Sequence, residues 1–194
     1  SSRSLCRISI MATNVENYLN SLGKYVVKQS RTMLTKAKKN VNKDLYNSIS
    51  YKVVADGDNF ILEFYMLNYG QFVDKGVSGN KKIQEYTTWD KRKVESPFKY
   101  KSKGPPIDII SKWIKQRGIK PKGTGRGRSK NTGQYISGLA YLISRSIKRD
   151  GIKSLSFFQR PLGLGLKDFP KDLLGAVKED ILNTLNKETI TQVS

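Results

Sequence analysis

Hydrophobic and polar positions repeat with two different periods along this chain, and each period predicts an element. Val15, Leu19, Leu22, Val26, Met33 and Ala37 recur at helical spacing directly after Thr13-x-x-Glu16, which has the form of a capping box. A first helix is therefore expected over residues 14–39, with Asn40 and Asn42 able to end or kink it. Lys24, Lys28 and Arg31 form a basic stripe beside the apolar one, read as a solvated outer face. Phe60, Leu62, Phe64 and Met66 then alternate with Ile61, Glu63 and Tyr65, the period of two of a strand with one buried face. With residues 50–55 it forms a predicted hairpin across Asp56-Gly57-Asp58-Asn59, a turn composition. Gly70 and Gly76 follow with Phe72 and Val73 between them. Glycine permits positive φ and close backbone approach, so a tight, packed corner is expected there.

Beyond the corner the periodicity weakens. Residues 78–104 are polar and basic, with Tyr86, Trp89, Phe98 and Tyr100 scattered among them. Such interleaving suits either stacking on a single nucleic-acid strand or an extended arm or extra strands that dock a neighbouring subunit. Pro105-Pro106 opens a predicted helix over 106–117, with Ile107, Ile110, Trp113 and Ile114 on one face and Trp113 read as core. A glycine-rich loop over 117–133 is followed by a helix over 134–148, packing through Tyr135, Leu139, Leu142, Ile143 and Ile147. Gly151-Ile152 ends it. A short strand is expected at 154–158 and a turn at Gly163-Leu164-Gly165. Asp168 then caps a last helix over 169–185, packing through Leu174, Val177, Ile181 and Leu185, and the polar tail frays. The predicted class is α+β: a small antiparallel-rich sheet, hairpin 50–67 plus short strands, packed by a long N-terminal helix and three further helices. One domain over 13–186 is expected, with an arm or leader at 1–12 and a tail at 187–194.

Composition changes the picture mainly by what it removes. With no histidine and the single Cys6, serine–histidine and cysteine–histidine catalysis and a disulfide framework are excluded, as is the commonest zinc ligand. Lysine and arginine number 36 against 16 acids, a formal charge of +20 that calls for a polyanionic neighbour, nucleic acid or an acidic protein surface. No apolar run is long enough for a bilayer, so no membrane partner is expected, and no secretory leader is read ahead of Met11. Arg117, Lys120, Lys122, Arg126, Arg128 and Lys130 crowd the 117–133 loop without an acid, which suits sequence-blind phosphate contact or an acidic partner. Gly123-Thr124-Gly125-Arg126-Gly127 lacks the Gly-Lys-Ser/Thr ending of a phosphate loop. Asp56 and Asp58 are read as turn residues, and Glu179 with Asp180 as the polar side of a helix, so no metal, cofactor or catalytic set is expected. A carboxylate nuclease has only those two pairs to draw on.

Tyr69-Gly70-Gln71-Phe72-Val73-Asp74-Lys75-Gly76 resembles the Tyr-x-x-Phe-Val-(Asp/Glu)-x-Gly corner of the tail-completion, or head–tail connector (neck), proteins of tailed bacteriophages. In that family a long first helix leads to a Leu-x-x-Ser-Ile segment, a hairpin, the corner, and then a Phe-x-x-Pro-Leu/Ala segment before the last helix. Here the pieces are Leu45-Tyr46-Asn47-Ser48-Ile49, hairpin 50–67, the corner, and Phe158-Gln159-Arg160-Pro161-Leu162. Asn42-Lys43 stands where the family usually has Thr-Gly. The resemblance implies a structural virion protein of the neck, assembled in the bacterial host cytoplasm, with Tyr69, Gly70, Phe72, Val73, Asp74 and Gly76 as its corner. It implies a ring of six or twelve copies that meets the portal or adaptor and the tail-tube or other neck proteins, with double-stranded DNA in the lumen. Within a ring-forming family the arm reading of Tyr86, Trp89, Phe98 and Tyr100 is preferred. The alternative is an independent, sequence-nonspecific nucleic-acid-binding protein.

Overall fold

In the computed structural model the described residues are 13–38, 43–56, 59–119, 126–128 and 135–191. Helix α1, Thr13–Lys36, buries Val15, Leu19, Leu22, Val26, Val27, Ser30 and Leu34 along one stripe. The cap on its N-terminal amides comes from a distant residue. The backbone N–H groups of Asn14 and Val15 donate to the two carboxylate oxygens of Asp180 at 2.9 and 3.0 Å. Asp180 is 2% exposed, so it is a buried cap delivered from the far end of the sequence, not the polar side of a helix. The helix stops three residues short of the expected 39, where Lys38 turns into the left-handed region at φ 53°.

A five-residue helix, α2 (Asp44–Ser48), follows. It is entered through Lys43 at φ 56°, the conformation a glycine would adopt without strain. Leu45 and Ile49 are buried with Val27, Leu34 and Phe157, forming the main core. Strands β1 (Ser50–Asp56) and β2 (Asn59–Tyr65) make the expected hairpin in the register Ser50↔Tyr65 to Asp56↔Asn59. Phe64 faces the core while Ile61 and Tyr65 are exposed, as the alternation requires. Asp58 lies outside the described residues.

The corner itself contains a helix, α3 (Gly70–Lys75), too short to leave a periodic trace in the sequence. Two-residue β3 (Val77–Ser78) follows. The 78–104 excursion carries a hairpin of β4 (Glu85–Thr87) and β5 (Lys93–Glu95). Helix α4, Ile107–Gln116, buries Ile110 and Ile114 against Ala140, a second small core. Trp113 is not part of it. At 37% exposure it lies at the rim, beneath the Arg117 guanidinium.

The glycine-rich stretch is not all loop. Strand β6 (Arg126–Arg128) pairs antiparallel with β7 (Tyr135–Ser137), so Tyr135 belongs to a strand and helix α5 runs over Gly138–Asp150. Leu142, expected to pack, is exposed; Ala140 and Ser144 face inward instead. Two-residue β8 (Gly151–Ile152) pairs with β3. Residues 154–158 form no strand. They run along the corner through single hydrogen bonds, Leu155 N–H to Val73 O at 3.0 Å and Ser156 N–H to Asp74 O at 2.9 Å. The expected Gly163–Gly165 turn is helical, the end of α6 (Gln159–Gly165).

The last helix, α7 (Phe169–Thr191), reaches past the expected 185. The face expected to pack is largely uncovered: Leu174 is 70% exposed, and Val177, Ile181 and Leu182 are exposed too, while the Leu185 side chain lies outside the described residues. What α7 inserts toward α1 is the Asp180 carboxylate, with Phe169 against Tyr18 at 5.9 Å. The fold is thus α+β, seven helices around small two-stranded antiparallel ladders among the described residues. No helix among them is long and apolar enough to cross a membrane.

Candidate functional site

The corner is a junction at which three distant stretches of chain meet. Its first turn closes through Gly70 N–H to Leu67 O at 2.8 Å and Phe72 N–H to Tyr69 O at 3.1 Å. Gly70 is buried against Leu45 and Met66. Val73 joins the main core, while the Phe72 ring turns outward and meets Phe98 edge to face at 4.6 Å. At Gly76, φ is 71°, and a Cβ there would come within 2.7 Å of the Ile152 carbonyl oxygen and the Ser154 nitrogen. Both the conformation and the space therefore require glycine.

Asp74 ties the corner to the Phe-x-x-Pro-Leu segment. It is 3% exposed, and its Oδ1 accepts the Phe158 N–H at 2.8 Å, with the Gln159 N–H at a longer 3.5 Å. These are the free amides at the start of α6, so a carboxylate 84 residues upstream caps that helix. Burial pushes the Asp74 carboxyl above its ordinary range, and the two amides pull it part of the way back. Phe158 then meets Phe64 edge to face at 5.2 Å, and Pro161 is fully buried.

The excursion folds onto this junction and is not a detached arm. Ser78 N–H donates to Phe98 O and Tyr100 N–H to Ser78 O, closing its two ends together. The Ser96 hydroxyl donates to Gly76 O at 2.7 Å, Thr87 N–H to Ser156 Oγ at 3.1 Å, and Trp89 N–H to Gln159 Oε1 at 3.2 Å. Tyr86 lies 6.0 Å from Lys75 Nζ. Burial raises the Tyr100 hydroxyl pKa. Of the four aromatics only Trp89, at 52%, keeps most of its ring surface outward.

Of the six cations expected on the 117–133 loop, Arg117, Arg126 and Arg128 fall among the described residues. Arg117 is drawn back into the fold: its guanidinium donates to Lys38 O beyond α1 and sits 5.8 Å from the Trp113 ring. A cation against the carbonyls at a helix C-terminus is favourable there, so Arg117 is a structural bridge and not a free loop charge. Arg126 and Arg128 stand on β6, opposite Ser137 and Tyr135. Lys120, Lys122 and Lys130 lie outside the described residues.

Two cationic concavities were not singled out by the sequence. A groove of about 860 Å³ lies between α1, α2 and the start of β1, with Lys24, Lys28 and Lys36 around an apolar floor that includes Val27, Ile49 and Tyr51. Arg31 is fixed in it by donating to Ile49 O at 2.9 Å and lying 5.2 Å from the Tyr46 ring. The basic stripe is therefore one wall of a groove and not a plain solvated face. A smaller cleft of about 580 Å³ gathers Lys81, Arg145, Lys148 and Arg149. Helical spacing would have paired Arg145 with Arg149, but only tertiary structure brings Lys81 beside them.

Among the described residues there are two ion pairs, Arg92–Asp90 and Arg149–Asp150, so few of the cations described are paired with an internal acid. No cluster of three or more metal-ligating acids or cysteines is found among them either. No family model, curated protein or solved structure matches the chain.

Proposed function

We propose that this chain is a non-catalytic virion component of a tailed bacteriophage, a neck or tail-completion subunit that joins the portal-bearing capsid to the tail as a ring around the DNA passage. The observation that carries the reading is the Asp74–Phe158 hydrogen bond. It couples the two segments through which the sequence resembles that family, and the coupling falls on the acidic position of the corner motif. The remaining pieces occupy consistent places: α1 leads to the Leu45–Ile49 segment in the core, then to the β1–β2 hairpin, then to the corner.

Surfaces suit such a role. A ring subunit needs a head and a tail interface that differ, each contact burying on the order of 1,200–2,000 Å² in total. The cationic groove on α1, with its apolar floor, fits an acidic protein neighbour such as a portal or adaptor surface. Charge met by protein in this way also leaves less of it to retard DNA in a lumen.

Light scattering of the purified chain, alone and with portal complex added, tests the reading. A closed oligomer, or assembly on the portal, is the expected result; a monomer in both cases overturns it. A second reading, sequence-nonspecific nucleic-acid binding by the lone molecule, is favoured by the scarcity of internal ion pairs. Retardation of DNA by the monomer at moderate salt distinguishes it.

A further inference from the structure

The smaller cleft differs from the α1 groove in chemistry. Its lining is Asn80, Lys81, Tyr141, Leu142, Arg145, Ser146, Lys148 and Arg149, with four cations, no carboxylate of its own and a smaller apolar share than the groove. Two of its cations have local duties. Lys148 Nζ donates to Ser102 O at 2.6 Å, and Arg149 is paired with Asp150 at 2.6 Å. The carbonyls of Lys148 and Arg149 at the end of α5 are already taken by the amides of Asn80 and Lys81, at 2.9 and 3.0 Å. That pairing fixes the backbone of Lys81 beside α5.

Lys81 and Arg145 are left over. Both are exposed, and neither has an acidic partner among the described residues. Arg145 lies 5.8 Å from the Tyr141 ring, which restrains its planar donor fork at the mouth of the cleft. The Arg145 guanidinium and the Lys81 ammonium, with the Asn80 amide in the same lining, form a donor set matched to phosphate oxygens, while the Ser146 hydroxyl is directed at Asp150 Oδ2 at 3.4 Å. Its apolar side chains are the exposed Tyr141 and Leu142, a smaller apolar surface than the floor of the α1 groove offers a protein neighbour.

We propose that the cleft takes the phosphodiester backbone of nucleic acid, with Lys81 and Arg145 as the contacting cations. The assignment rests on the nucleic-acid side of the proposed function and holds whether or not copies close into a ring. Such contact positions a strand without reading its sequence.

Fluorescence anisotropy with a short labelled DNA duplex, titrated across a NaCl series, tests it on the full chain. Removing two phosphate contacts should lower the slope of log K against log salt by about 2, since each contributes roughly 0.9. Lys81→Gln with Arg145→Gln is expected to do so while leaving thermal unfolding unchanged. Arg145→Lys should retain the slope, and Lys52→Gln with Lys112→Gln, an equal loss of charge on exposed residues elsewhere, should leave it as in the wild type. Equal slope losses in both double variants would overturn the cleft assignment while DNA binding itself stood. Absence of duplex binding at low salt would overturn both. Displacement of the duplex by inorganic phosphate at constant ionic strength would reassign the cleft to the free anion and end the backbone proposal.

Discussion

A carboxylate removed from water is unfavourable unless donors replace the solvent it has lost. Asp74 retains its place in the interior through the Phe158 amide and the more distant Gln159 amide. Because burial outweighs those donors, its folded pKa lies above the unfolded value. The folded protein then holds the proton at pH values where the unfolded chain has released it. Asp74 therefore contributes stability that is fully present below the ordinary carboxylate pKa, about 4, and that is lost as pH rises through the folded value. Asp74→Asn keeps an acceptor for the Phe158 amide but cannot titrate. Urea denaturation at a series of pH values should show the wild type losing stability relative to Asp74→Asn from about pH 4 upward. Parallel profiles would mean that the carboxyl is not perturbed. Asp74→Ala, which leaves the amides unpaired, should lower stability by about 1–3 kcal/mol below about pH 4, and by less as pH rises.

At the scale of elements, the chain joins its ends through a cap. The start of α1 is satisfied by Asp180 on α7, a bond that spans 166 residues. Asp180→Ala is expected to lower stability by about 0.5–2 kcal/mol and to speed hydrogen exchange at the Asn14 and Val15 amides. Unaltered exchange there would assign the cap to another group. The long α1, the β1–β2 hairpin and α4 were legible because their apolar repeats run for whole turns or several alternations. Elements of a few residues were not: α3 offers no period, β6 and β7 are three residues each, and α6 ends in a Gly-Leu-Gly that reads locally as a turn. The corner glycines were legible because backbone demands are local, and Gly76 does have positive φ. That Lys81 lines one cleft with Arg145, and that Asp180 caps α1, depends on contacts between remote segments that no spacing rule encodes. Leu174 shows the converse limit, since helical spacing marks an apolar stripe without saying what covers it.

The whole molecule carries +20 charges, and the described residues contain only two ion pairs. At low ionic strength such a chain repels itself, which favours expansion over the compact state. The groove on α1 and the cleft beside α5 each concentrate several like charges in a small space, so part of that repulsion is local. Screening relieves it: the Debye length shortens from about 30 Å at 0.01 M salt to about 10 Å at 0.1 M. The melting temperature is therefore expected to rise between those two NaCl concentrations, by about 2–4 °C for each kcal/mol of repulsion relieved in a chain of this size. Differential scanning calorimetry measures it directly. A fall in melting temperature would mean that attractive charge pairs dominate, and the excess would then be compensated within the fold. A rise carries a consequence for assembly. Copies of this chain brought together in the proposed ring would multiply the same repulsion, which counter-charge at the two concavities, the proposed acidic neighbour at one and phosphate at the other, would offset.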